Sequence, residues 1–124
     1  KINLLNGSPG IYSSRWAGRK NNFNLAIKKI YKKLNNIKKK WKNSNSAKFV
    51  CCMTLFWPNG KTFSSTGTIN GQISIKKKGK NGFGFDPIFI PNKYMKTFGE
   101  MKPTLKMSID HRSRAFKKIR KYFI

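Results

Sequence analysis

The most informative stretch of the sequence is Gly82-Phe83-Gly84-Phe85-Asp86-Pro87-Ile88-Phe89. Two aromatic rings stand between glycines, and a carboxylate and a proline follow them. Glycine lets a backbone approach a flat ligand closely, and an aromatic ring offers a face on which a base can stack. The same rings are also typical of core packing at the entrance to a strand, which we predict over residues 86–90, ending at Pro91. Taken alone, the stretch therefore leaves a binding loop and a packed strand entrance both open.

Three further strands are predicted upstream of this stretch. Residues 49–57 are apolar at both alternating sets of positions, which indicates a strand buried on both faces. The turn signal at residues 58–60 predicts a hairpin with a returning strand over residues 61–66. A third strand is predicted over residues 67–75, where glycines permit bends.

A helix is predicted over residues 22–41, after a segment of loops and turns at residues 1–18. Its apolar residues recur at steps of four and three, which is the period of an amphipathic helix. This stripe comprises Phe23, Ile27, Ile30, Leu34, Ile37 and Trp41. The lysines of the same segment, among them Lys38–Lys40, favour a solvated helix face over a nucleic-acid-binding helix.

A second helix is predicted over residues 104–123, with Pro103 near its start. Its stripe comprises Leu105, Ile109, Arg112, Phe116, Ile119 and Phe123. Arg112 therefore falls where a buried apolar residue is expected. A core-facing arginine is costly unless it meets an anion or a hydrogen-bonding network, so the misfit indicates a ligand site. The alternative is an arginine that reaches the surface at the helix edge.

The charge of the chain is extreme. It carries 28 basic residues against three acidic ones, a formal charge of +25. Such a surface attracts polyanions. Because 23 of the basic residues are lysines spread along the chain, the charge favours a compositional bias, with nucleic acid bound only non-specifically.

The remaining composition predicts a protein without a membrane segment. No apolar run reaches the ~18–20 residues needed to cross a bilayer, and no secretory signal is visible. Cys51 and Cys52 are adjacent, so a disulfide between them is strained and two reduced thiols in a cytoplasmic protein are expected. The length fits one domain over residues 1–124. Because the chain begins at Lys1 rather than Met, we expect this domain to be incomplete at its N-terminus.

Residues able to perform hydrolysis are scarce. The acidic residues are Asp86, Glu100 and Asp110, and none is close in sequence to another, as the ligands of a local metal site would be. Cleavage of a phosphoanhydride needs carboxylates for Mg²⁺ and usually a base for the attacking water. Donors are more plentiful, because the last helix offers hydrogen-bond donors to a purine carbonyl or to phosphate. The residues therefore indicate recognition rather than catalysis.

Four ordered motifs resemble the inosine triphosphate pyrophosphatase (non-standard purine NTP pyrophosphatase) family. They are residues 5–18, residues 82–89, residues 97–101, and Lys106 with His111-Arg112. Gly67, Gly71 and Gly79 also fall where that family has glycines. The resemblance covers residues 4–116, and an ordered set of motifs at compatible spacing is more specific than any motif alone.

The resemblance implies an α/β fold, with an elongated central mixed sheet flanked by helices, and a homodimer. It implies Mg²⁺-dependent hydrolysis of ITP, dITP and XTP to the monophosphate and pyrophosphate. The substrate-binding residues would be Phe83, Gly84, Phe85, Asp86, Lys106, His111 and Arg112. Phe83 would stack on the base, and the donors of the last helix would contact the nucleotide at its 6-keto edge. Adenine would leave such a donor unpaired.

The chain also departs from that family. The family's phosphate-binding loop, metal-binding Glu and catalytic Asp are expected upstream of Lys1, so we expect no catalytic or metal-binding residue here and little hydrolysis by this chain alone. Leu105 and Met107 replace polar residues, and Asp110 replaces a serine. Asp110 is also expected to pair with Lys106 and to compete with ligand phosphate. The alternatives are a basic nucleic-acid-binding module and an inactive remnant of the enzyme.

Overall fold

The computed structural model describes residues 1–37 and 40–123, which form helices and one three-stranded sheet. The strands are β1 (Ser46–Phe56), β2 (Thr62–Ile73) and β3 (Phe89–Pro91), in the order β1-β2-β3. The helices are α1 (Ser13–Trp16), α2 (Phe23–Ile37), α3 (Pro103–Ile109) and α4 (His111–Ile119). Short 3-10 helices occur at Asn3–Leu5, Gly10–Tyr12, Trp41–Asn43, Asp86–Ile88 and Arg120–Tyr122. The expected α/β fold is confirmed, and β3 pairs antiparallel with β2.

The described residues fall into two compact units. The first unit comprises residues 1–37, 40–48 and 70–101, and the second comprises residues 49–69 and 102–123. In the first unit the large buried side chains include Ile30, Leu34, Trp41, Ile88, Phe89 and Phe98. In the second unit the buried apolar side chains include Ile69, Ala115 and Ile119. Most of the large buried side chains therefore belong to the first unit.

Helix α2 confirms the predicted amphipathic stripe for most of its length. Ile27, Ile30 and Leu34 are buried, as the spacing requires, while Ile37 is 56% exposed. The predicted end at residue 41 is wrong, because Trp41 begins a separate 3-10 helix. Lys38 and Lys39, which belong to the predicted helix, lie outside the described residues. The segment at residues 1–18 was expected to be irregular, yet it contains two 3-10 turns and α1.

The predicted hairpin is present between β1 and β2. The amide of Trp57 donates to the carbonyl of Lys61, and the amide of Gly60 donates back to the carbonyl of Trp57. The expectation that β1 is buried on both faces is wrong. Its side chains alternate between half-buried and exposed positions, and Val50 and Phe56 are 39% and 73% exposed. An apolar run predicts the presence of a strand, but the burial of each face depends on the elements that pack against it.

Strand β2 is continuous where two strands were predicted. Gly67, read as a break between them, lies inside the strand and is buried. A Cβ at Gly67 would overlap the His111 carbonyl oxygen and the Ala115 amide nitrogen of α4. The glycine is therefore needed for close approach of helix to strand rather than for a bend.

The predicted C-terminal helix is divided in two. Asp110 has extended backbone angles (φ −72°, ψ 172°) and lies between α3 and α4. Its Oδ1 accepts a hydrogen bond from the Ser113 amide at 2.8 Å, which is the geometry of a helix N-cap. The apolar stripe of residues 105–123 therefore does not belong to one helix. Leu105, Phe116 and Phe123 are 41%, 40% and 51% exposed as a result.

Replacement of Gly67 by alanine tests the close approach of β2 and α4. We expect Gly67→Ala to lower the free energy of unfolding by about 2 kcal/mol or more, because the methyl group overlaps two backbone atoms of α4. The matched control is Thr66→Ala, at an exposed neighbouring position of the same strand, with an expected change within about 0.5 kcal/mol. Urea unfolding followed by circular dichroism measures both. Equal stability of the two variants would contradict the packing described here.

Tyr31 links α2 to the segment after β2. Its hydroxyl donates a hydrogen bond to the Ser74 carbonyl at 2.8 Å, and burial raises the pKa of Tyr31 to about 12. Because the folded pKa is higher than the unfolded value near 10, the stabilising contribution is complete below about pH 10. That contribution is lost as the pH rises towards 12.

Absorbance titration of tyrosinate tests the Tyr31 hydrogen bond. One of the four tyrosines should titrate near pH 12, and Tyr31→Phe should remove that step. The variant should also lose about 1 kcal/mol of stability at pH 7, and this difference should shrink between pH 10 and pH 12. The absence of a tyrosine step near pH 12 would contradict the partial burial and hydrogen bond of Tyr31.

Candidate functional site

Residues 82–86, which we call the glycine–aromatic loop, lie in the first unit and are held by a carboxylate. The Oδ2 of buried Asp86 accepts a hydrogen bond from the Phe83 amide at 3.0 Å. Gly82 has a φ of +72°, and a Cβ there would overlap that same Oδ2. Only glycine combines this left-handed backbone with so close a carboxylate. Residues 82–86 thus form a tight turn with a fixed backbone.

The two aromatic rings of this loop have different environments. Phe85 is half-buried and meets Phe23, at the start of α2, edge to face with a centroid separation of 5.2 Å. Phe83 is 58% exposed. The two interpretations left open by the sequence therefore apply to different rings. Phe85 has the packing role, and Phe83 presents an aromatic surface outside the core.

Residues 97–101 form the support of the loop, a role that the sequence did not indicate. The Gly99 amide donates to the Asp86 carbonyl, and the Asn81 amide donates to the Gly99 carbonyl, both at 2.9 Å. The hydroxyl of fully buried Thr97 donates to the Lys78 carbonyl. Phe98 is also fully buried. In the sequence, the one indication of this role was that residues 97–101 lie between the motif at residues 82–89 and the motif of Lys106 and His111-Arg112.

The other predicted site residues, Lys106, His111 and Arg112, lie in the second unit. Lys106 is on α3 and is buried, with 9% of its surface exposed. His111 begins α4 and stacks on Phe49 with a centroid separation of 4.9 Å and an interplanar angle of 24°. The structure therefore brings Phe83–Asp86 together in one loop and these three residues onto two consecutive helices.

Arg112 is exposed, which agrees with the alternative of an arginine that reaches the surface and not with an arginine that points into the core. The reason is the division of the helix at Asp110, which resets the helical phase and removes Arg112 from the apolar stripe. Its guanidinium acts electrostatically on Cys51 of β1. Burial raises the pKa of the Cys51 thiol, and the positive charge of Arg112 opposes that shift. Cys51 and Cys52 are both free thiols, as expected.

Residues 1–122, almost the whole chain, match the Ham1 family. The chain belongs to the Ham1 family. Its match extends through the glycine–aromatic loop, its support and the two C-terminal helices. The resemblance expected from the four motifs is thereby confirmed.

Two proteins similar in sequence to this Ham1-family chain are named as dITP/XTP pyrophosphatases. A protein of Caulobacter vibrioides named dITP/XTP pyrophosphatase is 39% identical over 119 residues, which are 96% of this chain and 60% of that protein. The dITP/XTP pyrophosphatase of Oceanobacillus iheyensis is 40% identical over 121 residues, again 60% of its length. The chain thus spans about 60% of the length of these relatives.

Solved structures share the fold of the chain. The Staphylococcus aureus Ham1 protein superposes with a TM-score of 0.88 and 36% identity, covering 98% of this chain and 61% of that protein. A HAM1 protein from Coxiella burnetii gives a TM-score of 0.88 and 33% identity over the same shares. The elements described above therefore follow the arrangement of Ham1 proteins.

The carboxylates of this Ham1-family chain do not form a metal centre within the part that the structure describes. Residues 1–37 and 40–123 contain no group of three or more His, Cys, Asp or Glu side chains placed to hold a metal ion. Asp86 and Asp110 are both buried and accept backbone hydrogen bonds. No helix of the described residues is long and apolar enough to cross a membrane.

Substitution of Asp110 separates its capping role from its charge. Asp110→Ala should cost about 1 kcal/mol of stability, because the Ser113 amide loses its acceptor. Asp110→Ser should retain nearly all of the stability, since serine is an equally good N-cap. Chemical unfolding of both variants at pH 7 measures the difference. Equal losses for serine and alanine would show that the negative charge, not the cap, supports the junction.

Proposed function

We propose that this chain is the base-recognition part of an enzyme that hydrolyses non-standard purine nucleoside triphosphates to the monophosphate and pyrophosphate. Membership of the Ham1 family and the names of the relatives, dITP/XTP pyrophosphatases, support the proposal. The observation that carries it is Phe83, an exposed aromatic ring on a loop whose backbone is fixed. The substrates proposed are dITP, XTP and ITP.

In this proposal the base stacks on Phe83, with Gly84 allowing close approach and Asp86 holding the turn. Stacking on one aromatic ring is worth about 1–3 kcal/mol but does not distinguish one purine from another. Selectivity comes from the donors Lys106, His111 and Arg112, which contact the nucleotide and its 6-keto edge. Adenine has an amino group at that position, so a donor directed there would be left without an acceptor.

The burial of Lys106 suits this role. A lysine with 9% of its surface exposed has lost much of its hydration, so a hydrogen bond to a ligand carbonyl costs less further desolvation. Arg112 is exposed and can follow a phosphate or a base edge through its planar fork. We therefore assign base selectivity mainly to Lys106 and charge complementarity mainly to Arg112.

Magnesium and a homodimer belong to the same proposal. A divalent ion would neutralise the triphosphate and polarise the scissile phosphoanhydride. The residues present do not fit a magnesium site, since the described part of the chain has no cluster of carboxylates. No step of the hydrolysis is therefore assigned to the carboxylates of this chain.

A chimera provides the test, with this chain replacing the matching part of the Oceanobacillus iheyensis relative. We expect Phe83→Ala and Arg112→Ala to weaken ITP binding about tenfold or more, through lost stacking and a lost charge-assisted hydrogen bond. Calorimetric titration with ITP and ATP measures affinity, and pyrophosphate release measures kcat/KM.

The matched controls are Phe123→Ala and Arg120→Ala, which remove an exposed phenylalanine and an exposed arginine outside the predicted site. Both should leave ITP binding within about twofold, because neither residue is assigned a contact with the nucleotide. The site assignment would be wrong if Kd and kcat/KM were unchanged in both site variants. The substrate assignment would be wrong if the chimera bound ATP as tightly as ITP.

A further inference from the structure

A basic cavity lies on α1 and α2 of the first unit, apart from the glycine–aromatic loop. Its volume is about 690 Å³, within the range of ligand pockets. The residues that line it include Arg15, Trp16, Lys28, Lys29, Lys32 and Lys33. We call this surface the Trp16 groove. Five of those six side chains are cationic, and the sixth is a large aromatic ring.

Two of the lysines that line the Trp16 groove lie against the face of its one aromatic ring, Trp16. The Lys29 and Lys33 ammonium groups lie 4.9 and 5.5 Å from the centre of the Trp16 ring. Arg15, which also lines the groove, has its guanidinium 5.2 Å from the centre of the ring of Tyr12, a residue outside the lining. These cation–π contacts keep the charged groups beside aromatic faces. A lysine-rich helix face that is only solvated would carry the same charge but would not have these cation–π contacts.

The positive charge of the groove has no counterpart nearby in sequence. All three acidic residues of the chain lie at or beyond position 86. Lys28 and Lys32 are one turn apart on α2, as are Lys29 and Lys33, about 6 Å along the axis. Like charges at this spacing repel and cost about 0.2–0.5 kcal/mol per pair. An anion that bridges the two turns would remove that repulsion.

A second recess adjoins the first at Trp16. Its volume is about 330 Å³, and Leu4, Leu5, Ser8, Trp16, Lys33 and Asn36 are among the residues that line it. Apart from Lys33, the walls of this recess are apolar or neutral polar, whereas the first cavity is lined by four lysines and an arginine. Trp16 and Lys33 line both. The groove therefore offers a row of cations and, beside it, a less charged space next to an indole.

We propose that the Trp16 groove binds single-stranded nucleic acid. The phosphates lie along the lysines of α2, and an unpaired base stacks at Trp16 next to the second recess. The lysines now beside the indole turn to the phosphates, so the base takes their place on the ring. A duplex does not offer the faces of its bases, and a polyphosphate has no group that needs an aromatic ring.

The proposal differs from non-specific attraction by the +25 charge in two measurable ways. Non-specific binding should not depend on which lysines are removed, whereas the groove places the contacts on α2. Single-strand binding also weakens with salt by about 0.7 decades of affinity per phosphate for each tenfold rise in concentration. Three phosphate contacts therefore predict a slope of about −2, and stacking adds affinity that persists above 0.15 M salt.

Titration of the purified 124-residue chain with a 12-mer of oligo-dU and of oligo-dT tests the proposal. Tryptophan fluorescence and anisotropy of a labelled strand report binding at 0.05–0.5 M salt. Trp16→Ala should weaken binding about tenfold, and Lys29→Gln with Lys33→Gln should weaken it further and flatten the salt slope by about 1–1.5.

The aromatic control is Phe56→Ala, which removes a 73% exposed ring on β1. The charge control is Lys93→Gln with Lys96→Gln, two exposed lysines outside the groove.

Trp16→Phe keeps an aromatic face and a folded helix pair, so it guards against loss of structure in the alanine variant. It should bind within about threefold of the unsubstituted chain but lose the fluorescence quenching. Equal losses in the groove and control lysine variants would overturn the proposal. Inorganic polyphosphate binding as tightly as the oligonucleotide, or no dependence on Trp16 with circular dichroism unchanged, would also overturn it.

Discussion

Each of the three carboxylates in the chain accepts a hydrogen bond from a main-chain amide three residues away. Asp86 accepts from Phe83 at 3.0 Å, Glu100 from Thr97 at 3.1 Å, and Asp110 from Ser113 at 2.8 Å. A charged acceptor makes a stronger bond to an amide than a neutral one does. The three bonds fix the glycine–aromatic loop, its support and the junction of α3 and α4. The elements that carry the predicted site therefore depend on the few negative charges that the chain has.

With so few acids, some cations have backbone carbonyls or a side-chain amide as partners instead. In the second unit, Arg114 donates to the Thr68 carbonyl and Lys118 to the Thr66 carbonyl, so α4 is joined to β2 by charged donors. In the first unit, Lys77 donates to the side chain of Asn24. Such bonds hold the cations in place without neutralising them. The net positive charge therefore remains on the surface, and the five exposed cations that line the Trp16 groove are part of it.

The sequence predicted the elements whose signal is local. The spacing of apolar residues located α2, and the turn residues located the β1–β2 hairpin. The sequence-based predictions were wrong where the local structure depends on a contact that the sequence pattern does not show. Gly67 looked like a break because its real neighbour, the backbone of α4, is about 45 residues away along the chain. Asp110 looked like an interior helical residue, because its extended backbone and its bond to Ser113 cannot be read from periodicity.

For the site, the sequence by itself determined family membership and the residue types of a recognition loop, because ordered motifs and their spacing are properties of the chain. Only the tertiary structure separated Phe85, packed against Phe23, from exposed Phe83. It also moved Arg112 to the surface and Lys106 into a buried position, the reverse of what one continuous helix predicts. The physical reason is that burial and helical phase depend on contacts between segments distant in sequence, which no local pattern records.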